Sequence, residues 1–211
     1  MKKVAVALHA TNDFDINQIK NLENLDYIHV DVMDGKFVDN IMLNLDIFQA
    51  LKENFEIPII VHMMVEDPLY YLDKIIDYID AFLFHKEIQF SISKIIETVK
   101  THKKKVGLVI NPPTEVSSLL PYLDQIDFVL IMGVNPGWSA QKFIDTTIEK
   151  VNELSAYKKE FNFEIDVDGG VNLENASKLS NADILSSSST ILEAENPNQT
   201  IILLKNSDKK P

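Results

Sequence analysis

His29 and Asp31 stand one residue apart in the run YIHVDVMDG, His62 closes the apolar stretch IPIIVHMM, and Asp168 lies in FEIDVDGG. Two imidazoles and two carboxylates can share one divalent cation. Neutral imidazole and carboxylate suit Zn²⁺, Fe²⁺, Co²⁺ and Mn²⁺ alike, so the donor set leaves the ion open. The period-2 alternation of YIHVDV puts Tyr27, His29 and Asp31 on one face of a strand and Ile28, Val30 and Val32 on the other. A single histidine of this kind is ordinarily a hydrogen-bonded interior residue. Four compatible donors at the ends of three strand-like runs point to a metal instead.

The elements that must position these donors follow from apolar patterning. Strand-like runs recur at VAVAL (4–8), YIHVDV (27–32), IPIIVHM (57–63), AFLFH (81–85), KVGLVI (105–110), DFVLIM (127–132), FEIDV (163–167) and ADILS (182–186). Helix-like segments separate them, at 15–25, 43–55, 67–79, 91–103, 115–123, 145–160 and 172–180. Asp67 followed by Pro68 reads as an N-cap and first helical residue, and Pro121 shortens or kinks the fifth helix. The apolar run TIILL in the tail predicts a stunted eighth helix, with frayed last residues.

Eight strands alternating with helices predict an α/β fold, an eight-stranded (β/α)8 TIM barrel, with a doubly wound open sheet as the alternative. The length of 211 residues is compatible with a single barrel domain over 1–211. In a barrel, chemistry gathers at the C-terminal strand ends and the loops after them. His29, Asp31, His62, His85, Met132 and Asp168 all fall there, and so do Gly35, Gly133, Gly137, Gly169 and Gly170, five of the six glycines.

Composition narrows the chemistry further. The chain has no cysteine, which excludes disulfides, thiolate ligands and a cysteine nucleophile and fits a reducing cytosol. Its net charge is -12, and all 20 basic residues are lysines. A nucleic-acid partner is therefore not expected, and no guanidinium can clamp a phosphate. The first residues, MKKVAVALHATNDFD, carry too short an apolar run for a signal peptide and read as a first strand. No stretch approaches the length of a membrane span, so no membrane partner is expected. Rossmann and Walker A glycine patterns are absent, and with them any expectation of a nucleotide cofactor.

The motifs HVDVMDGKFVDN (29–40), HMM (62–64), GLVINPPT (107–114), MGVNPGWSAQ (132–141) and EIDVDGG (164–170) occur in the order found in one enzyme family. In them the chain resembles the ribulose-phosphate 3-epimerases, over nearly its whole length and fading after about residue 193. The resemblance implies a (β/α)8 barrel that interconverts D-ribulose 5-phosphate and D-xylulose 5-phosphate, or an allulose-6-phosphate-type relative. It implies metal ligands at His29, Asp31, His62 and Asp168, with Asp31 and Asp168 also the acid/base pair on opposite faces of the substrate. Met33, Met64 and Met132 match methionines that line the pocket, although methionine also fills irregular gaps in ordinary cores. A phosphate site is implied at Gly137, Trp138, Ser139 and Ala140, at Gly169 and Gly170, and at Ser188 and Ser189. Gly169-Gly170 before the Asn172 helix independently suits backbone N–H groups meeting an anion, or a plain strand-to-helix turn. The run Ser186 to Ser189 with Thr190 would supply hydroxyls and N–H groups in the same area, or serve as a polar turn and N-cap.

Several positions depart from the family. Its GFGGQ reads Gly137-Trp138-Ser139-Ala140-Gln141 here, its GS or GT reads Ser188-Ser189, its VPN reads Val38-Asp39-Asn40, and its strand-one serine falls at Leu8 or Ala7. These changes touch the region that would hold the substrate and spare the four donors.

The chemistry expected is the movement of a proton from one face of a carbon beside a carbonyl to the other. It proceeds by two-aspartate proton transfer through a metal-stabilised enediolate. One divalent ion per subunit is expected, zinc first, with iron, manganese or cobalt as alternatives. His85, beside Glu87, is expected to orient a group, close the pocket or contact substrate, or simply to hydrogen-bond within the barrel mouth, and His9, at the end of strand one, lies near enough to contact substrate. A non-catalytic sugar-phosphate-binding relative is the competing reading, against which the retention of both aspartates counts. The expected partner is a small ketose phosphate. The resemblance also implies a homo-oligomer, dimer or hexamer, and a cytoplasmic enzyme of pentose-phosphate or related sugar metabolism.

Overall fold

The computed structural model describes residues 1–138 and 141–208. Its strands are β1 (Lys3–His9), β2 (Tyr27–Asp34), β3 (Ile41–Met42), β4 (Ile59–Met64), β5 (Ala81–His85), β6 (Lys105–Ile110), β7 (Phe128–Met132), β8 (Glu164–Asp168) and β9 (Ile184–Ser187). All pair in parallel except β3, a two-residue strand antiparallel to the end of β2. β1 pairs with both β2 and β9, which closes the eight parallel strands into a barrel and rules out the open-sheet alternative. All eight runs expected as strands are strands.

The helices are α1 (Asp46–Asn54), α2 (Pro68–Ile75), α3 (Ile92–Thr101), α4 (Thr146–Ser155), α5 (Leu173–Ala176), α6 (Ser189–Leu192) and α7 (Pro197–Lys205). Asp67 caps α2 by accepting from the Tyr70 N–H, with Pro68 at the first turn, as its sequence predicts. The helix expected over 15–25 is reduced to one 3₁₀ turn at Ile16–Gln18. Asparagines at 17, 21 and 24 are poor helix formers, and Asn24 adopts a left-handed φ of 63° that no helix accommodates. The segment 115–123 is likewise 3₁₀, at Val116–Tyr122, with Pro121 unable to donate within it. The helix expected over 172–180 stops at Ala176. The tail helix is longer than foreseen, nine residues capped by Asn196. The expectation of frayed final residues falls, for 209–211, outside the described residues.

A repeated device sets the register of the barrel. Asp26, Asp80, Asp127 and Asp183 each stand immediately before β2, β5, β7 and β9, and each carboxylate accepts from a backbone N–H at the start of the neighbouring strand: Val4 (2.8 Å), Ile59 (2.9 Å), Val106 (2.9 Å) and Ile165 (2.7 Å). Each also donates its own N–H to the carbonyl of that same residue. Every second strand is thus clipped to its predecessor at the bottom of the barrel, where a slip by one residue would turn the inward face outward.

Outward positions such as Ile28, Val30, Val32, Ile165 and Val167 pack beneath the helices in the main core. Inward positions form a second, apolar layer that includes Tyr27, Ile60, Leu83, Phe128 and Leu130. Above that layer, toward the C-terminal ends of the strands, the interior turns polar.

Candidate metal centre and its cavity

His29, Asp31, His62 and Asp168 converge, with one donor atom from each lying within 4.8 Å of all the others. The strand register brings Asp31 on β2 opposite His62 on β4, and the pleat places His29 two residues below Asp31 on the same face. Asp31 Oδ1 lies 2.8 Å from His62 Nδ1 and 3.2 Å from His29 Nε2. Asp168 Oδ2, from β8, lies 3.9 Å from His62 Nδ1 and 4.0 Å from His29 Nε2. Both imidazoles are fully buried, while Asp31 and Asp168 keep 5% and 7% exposure, the part that faces the cavity.

The charges in this cluster are unequal. Burial alone would raise the Asp31 carboxyl, but hydrogen bonds from His29 and His62 outweigh it and hold Asp31 well below the usual carboxylate range. Burial, with repulsion from Asp31, pushes Asp168 up to about 7. His29 is held well above its ordinary value, because Asp166 and Asp31 overcome the burial that disfavours its cation. His62 is lowered by burial. Two enclosed carboxylates facing two imidazole nitrogens make a donor set short of positive charge, and a divalent cation fits it in both chemistry and sign. The cluster could hold one metal ion.

Behind His62 runs a chain of hydrogen bonds. His62 Nε2 lies 2.9 Å from His85 Nε2, and His85 Nδ1 lies 3.3 Å from Glu87 Oε2. Glu87 Oε1 accepts from the Asn111 N–H at 2.8 Å and from the Thr114 hydroxyl. These bonds outweigh burial and lower the Glu87 carboxyl to about 2. The Lys150 ammonium on α4 in turn donates to the carbonyls of Asn111, Pro112 and Thr114, which fixes the NPPT loop.

A cavity of about 230 Å³ opens above the cluster. Of the residues expected at the site, Asp31, Asp168, Met33, Met64, Met132, Gly137, Trp138, Gly169, Gly170, Ser188 and Ser189 line it. His85 does not. It is buried, packed behind His62 and against the Phe37 ring. Ser139 and Ala140 lie outside the described residues. His9 lines the cavity, its Nε2 3.7 Å from Asp31 Oδ2. Among the described residues no lysine lines it.

The walls are tied to one another. Asn40 donates to the Gly137 carbonyl at 3.0 Å, and Gln141 donates to the carbonyls of Asn135 and Trp138, so two positions near the altered family motifs stitch the loop over the cavity. Ser187 and Thr190 both donate to the Val171 carbonyl and bring the segment after β9 against the loop after β8. Gly169 has a φ of 99°, and a Cβ there would meet Val134, which suits only glycine at this turn. Ser186, Ser187 and Thr190 line the cavity together with Ser188 and Ser189, so the whole serine run faces it. Asn135 and Asn172 join them, and sequence reasoning did not single out either as a site residue. Asp166, buried beneath the cluster, was also missed. The signal for it was present: in EIDVD, Glu164, Asp166 and Asp168 share one strand face.

Comparison with known proteins places this geometry in context. The profile of the ribulose-phosphate 3 epimerase family matches residues 3–192. The ribulose-phosphate 3-epimerase of Bacillus subtilis (strain 168) is 37% identical over 166 residues, 76% of each chain. That of Helicobacter pylori (strain J99 / ATCC 700824) is 31% identical over 210 residues, 97% of each chain. Among solved structures, a ligand complex of KGPDC from Streptococcus mutans superposes with a TM-score of 0.74 over 98% of this chain and 96% of that one, at 15% identity. 3-Hexulose-6-phosphate synthase from Salmonella typhimurium gives 0.72 over 97% of both chains at 14% identity. At those identities the structural likeness speaks to the fold alone.

Proposed function

This chain belongs to the ribulose-phosphate 3 epimerase family, a family of isomerases, and from that premise we propose that it is a metal-dependent ketose-phosphate 3-epimerase interconverting D-ribulose 5-phosphate and D-xylulose 5-phosphate. The observation that carries the reading is that Asp31 and Asp168, from β2 and β8, both border one cavity while each keeps an oxygen in the donor cluster. Epimerisation at C3 needs a base on one face of the carbon and an acid on the other. Two carboxylates on separate walls supply both, and they exchange tasks when the reaction runs backward.

His29, Asp31, His62 and Asp168 would hold the ion, for which zinc is proposed and iron, manganese or cobalt are the alternatives. Bound there, a divalent cation would supply positive charge for the oxygen beside the reacting carbon and so acidify the C3–H bond, which a free aspartate with a pKa of about 3.9 is too weak to break unaided. Asp31 and Asp168 move the proton. Met33, Met64 and Met132 enclose the reacting carbon and limit water. With no lysine among the described lining residues, the phosphate is assigned to backbone N–H groups and hydroxyls around Gly137, Gly169, Gly170, Ser188 and Ser189. We further assign the chain to one barrel domain, a homo-oligomer, and a cytoplasmic setting; among the described residues no helix is long and apolar enough to cross a membrane.

A coupled assay with ribulose 5-phosphate and supplied metal tests the substrate. Turnover is expected. Absence of turnover, with allulose 6-phosphate accepted instead, would move the assignment to the six-carbon relative that the altered motifs make the runner-up. Tight binding of either sugar with no solvent deuterium entering C3 would leave a sugar-phosphate-binding protein that lacks the chemistry.

A further inference from the structure

Asp166 is a fully buried carboxylate inside the barrel, and the proton transfer above makes no use of it. Its side-chain hydrogen-bond partner is the Ser186 hydroxyl, at 3.0 Å from one carboxylate oxygen and 3.1 Å from the other. The same hydroxyl lies 3.3 Å from His29 Nδ1, while Asp166 itself stays 3.8 Å from that nitrogen. Ser186 and His29 are also buried.

We propose that Ser186 and Asp166 are positioning residues for His29, forming a two-step hydrogen-bond relay that keeps the proton on Nδ1 and turns the Nε2 lone pair toward the donor cluster. The argument is a proton count. Ser186 donates its one O–H to the Asp166 carboxylate oxygens. Its oxygen is then left to accept from His29, and His29 must donate from Nδ1. Nε2, at 3.2 Å from Asp31 Oδ1, is the nitrogen left to bind a cation. The relay also holds the ring plane, because β8 and β9 fix Asp166 and Ser186 on neighbouring strands, with Asp168 directly opposite Ser186 in the register. A carboxylate wired to the far side of a ligating imidazole strengthens that imidazole as a ligand.

The inference rests on reading the cluster as a metal site, and the test separates the two. Zinc affinity is measured by competition with a chromophoric chelator on the full chain, for wild type, Ser186→Ala, Asp166→Asn and the hydroxyl-retaining Ser186→Thr. In parallel, the ring nitrogens of the zinc-loaded proteins are followed by ¹⁵N NMR. Wild type is expected to bind one zinc with His29 protonated at Nδ1. Ser186→Ala and Asp166→Asn are each expected to weaken zinc binding by roughly 10- to 100-fold, with altered shift or faster exchange of the His29 Nδ1 proton and a retained fold by circular dichroism. Ser186→Thr is expected to restore at least part of the affinity. Wild-type zinc bound through His29 Nδ1 would overturn the relay, as would variants that match wild type in both affinity and His29 signal. A wild type that binds no divalent ion overturns the metal reading and the relay with it.

Discussion

His62 and His85 meet nitrogen to nitrogen, Nε2 to Nε2 at 2.9 Å, so one ring must donate where the other accepts. Glu87 decides which. Its ionised carboxylate accepts from His85 Nδ1, which leaves a neutral His85 with an unprotonated Nε2, and His62 must then donate from its own Nε2. With a cation in the cluster in place of the proton shared with Asp31, 2.8 Å away, His62 Nδ1 would offer that cation a lone pair. Holding such a cation, the two histidines would work in opposite tautomers, His29 through Nε2 and His62 through Nδ1.

Glu87→Gln should therefore weaken metal binding from a position outside the cavity lining. A glutamine can offer its amide N–H to His85 and permit the reversed chain of donors, so chelator competition should read a loss on the order of 10-fold or more. The same variant has a signature in pH. The Glu87 carboxyl is lowered from its ordinary 4.5 to about 2, by hydrogen bonds from His85, Thr114 and Asn111 that outweigh burial. A depressed folded-state value means stabilisation that is full above pH 4.5 and is lost as the pH falls toward 2. Urea unfolding should show wild type losing stability across that window more steeply than Glu87→Gln. Parallel curves would remove Glu87 from this role.

Much of this site could be read in the residues because barrel strands alternate strictly. His29 and Asp31 share a face by spacing alone, and four donors on three strand ends survive errors of a residue or two in strand limits. What stayed hidden depends on which strand lies beside which. Asp166 looks like one more acid in EIDVD until Ser186 of the neighbouring strand is seen against it. His85 reads as a mouth residue, yet with His62 paired to Leu83 it stands two residues further along β5, its Nε2 against that of His62. The four register-setting aspartates occur as the pairs Asp26-Tyr27, Asp80-Ala81, Asp127-Phe128 and Asp183-Ile184, a weak local signal whose meaning lies in a partner some 18 to 22 residues away. The failed helix over 15–25 shows the reverse: its apolar spacing was helical, and its asparagines outweighed that spacing.

Removing one of those clips should cost stability and leave the site chemistry alone. Asp127→Ala deletes a carboxylate that accepts from the Val106 N–H, a charge-assisted bond worth about 1.5–3 kcal/mol. The midpoint of thermal unfolding should fall by roughly 3–12 °C for a chain of this size. Activity per folded molecule, measured well below the transition, should stay near wild type.

If the cluster holds a metal as proposed, stripping it should destabilise the fold, because an ion held there would bind the native arrangement of strand ends that the unfolded chain lacks. At free zinc about 100-fold above the dissociation constant the stabilisation is about 2.7 kcal/mol. Calorimetry of chelator-treated and reloaded protein should differ by roughly 5–11 °C. Asp31→Asn and His62→Ala should each shrink that gap. An unfolding midpoint indifferent to zinc, iron, manganese and cobalt would count against the cluster as a metal site.

Asp31 and Asp168 should both be required for epimerisation yet fail differently when replaced. Each borders the cavity and the donor cluster, so asparagine keeps the size and one ligating oxygen while removing the group that carries the proton. Positioned proton transfer contributes roughly 10²–10⁴-fold, and each variant should lose turnover in that range, with a further loss wherever metal affinity falls. The two differ in the face of the carbon they serve. In deuterated water, with metal loading held saturating, one variant should still exchange the C3 hydrogen of ribulose 5-phosphate but not that of xylulose 5-phosphate, and the other should do the opposite. Exchange lost equally from both sugars in both variants would mean that each aspartate acts chiefly through the metal. Near-wild-type epimerisation by metal-loaded Asp31→Asn would exclude the two-carboxylate mechanism, and His9, 3.7 Å from Asp31 and on the same cavity wall, would be the next group to replace.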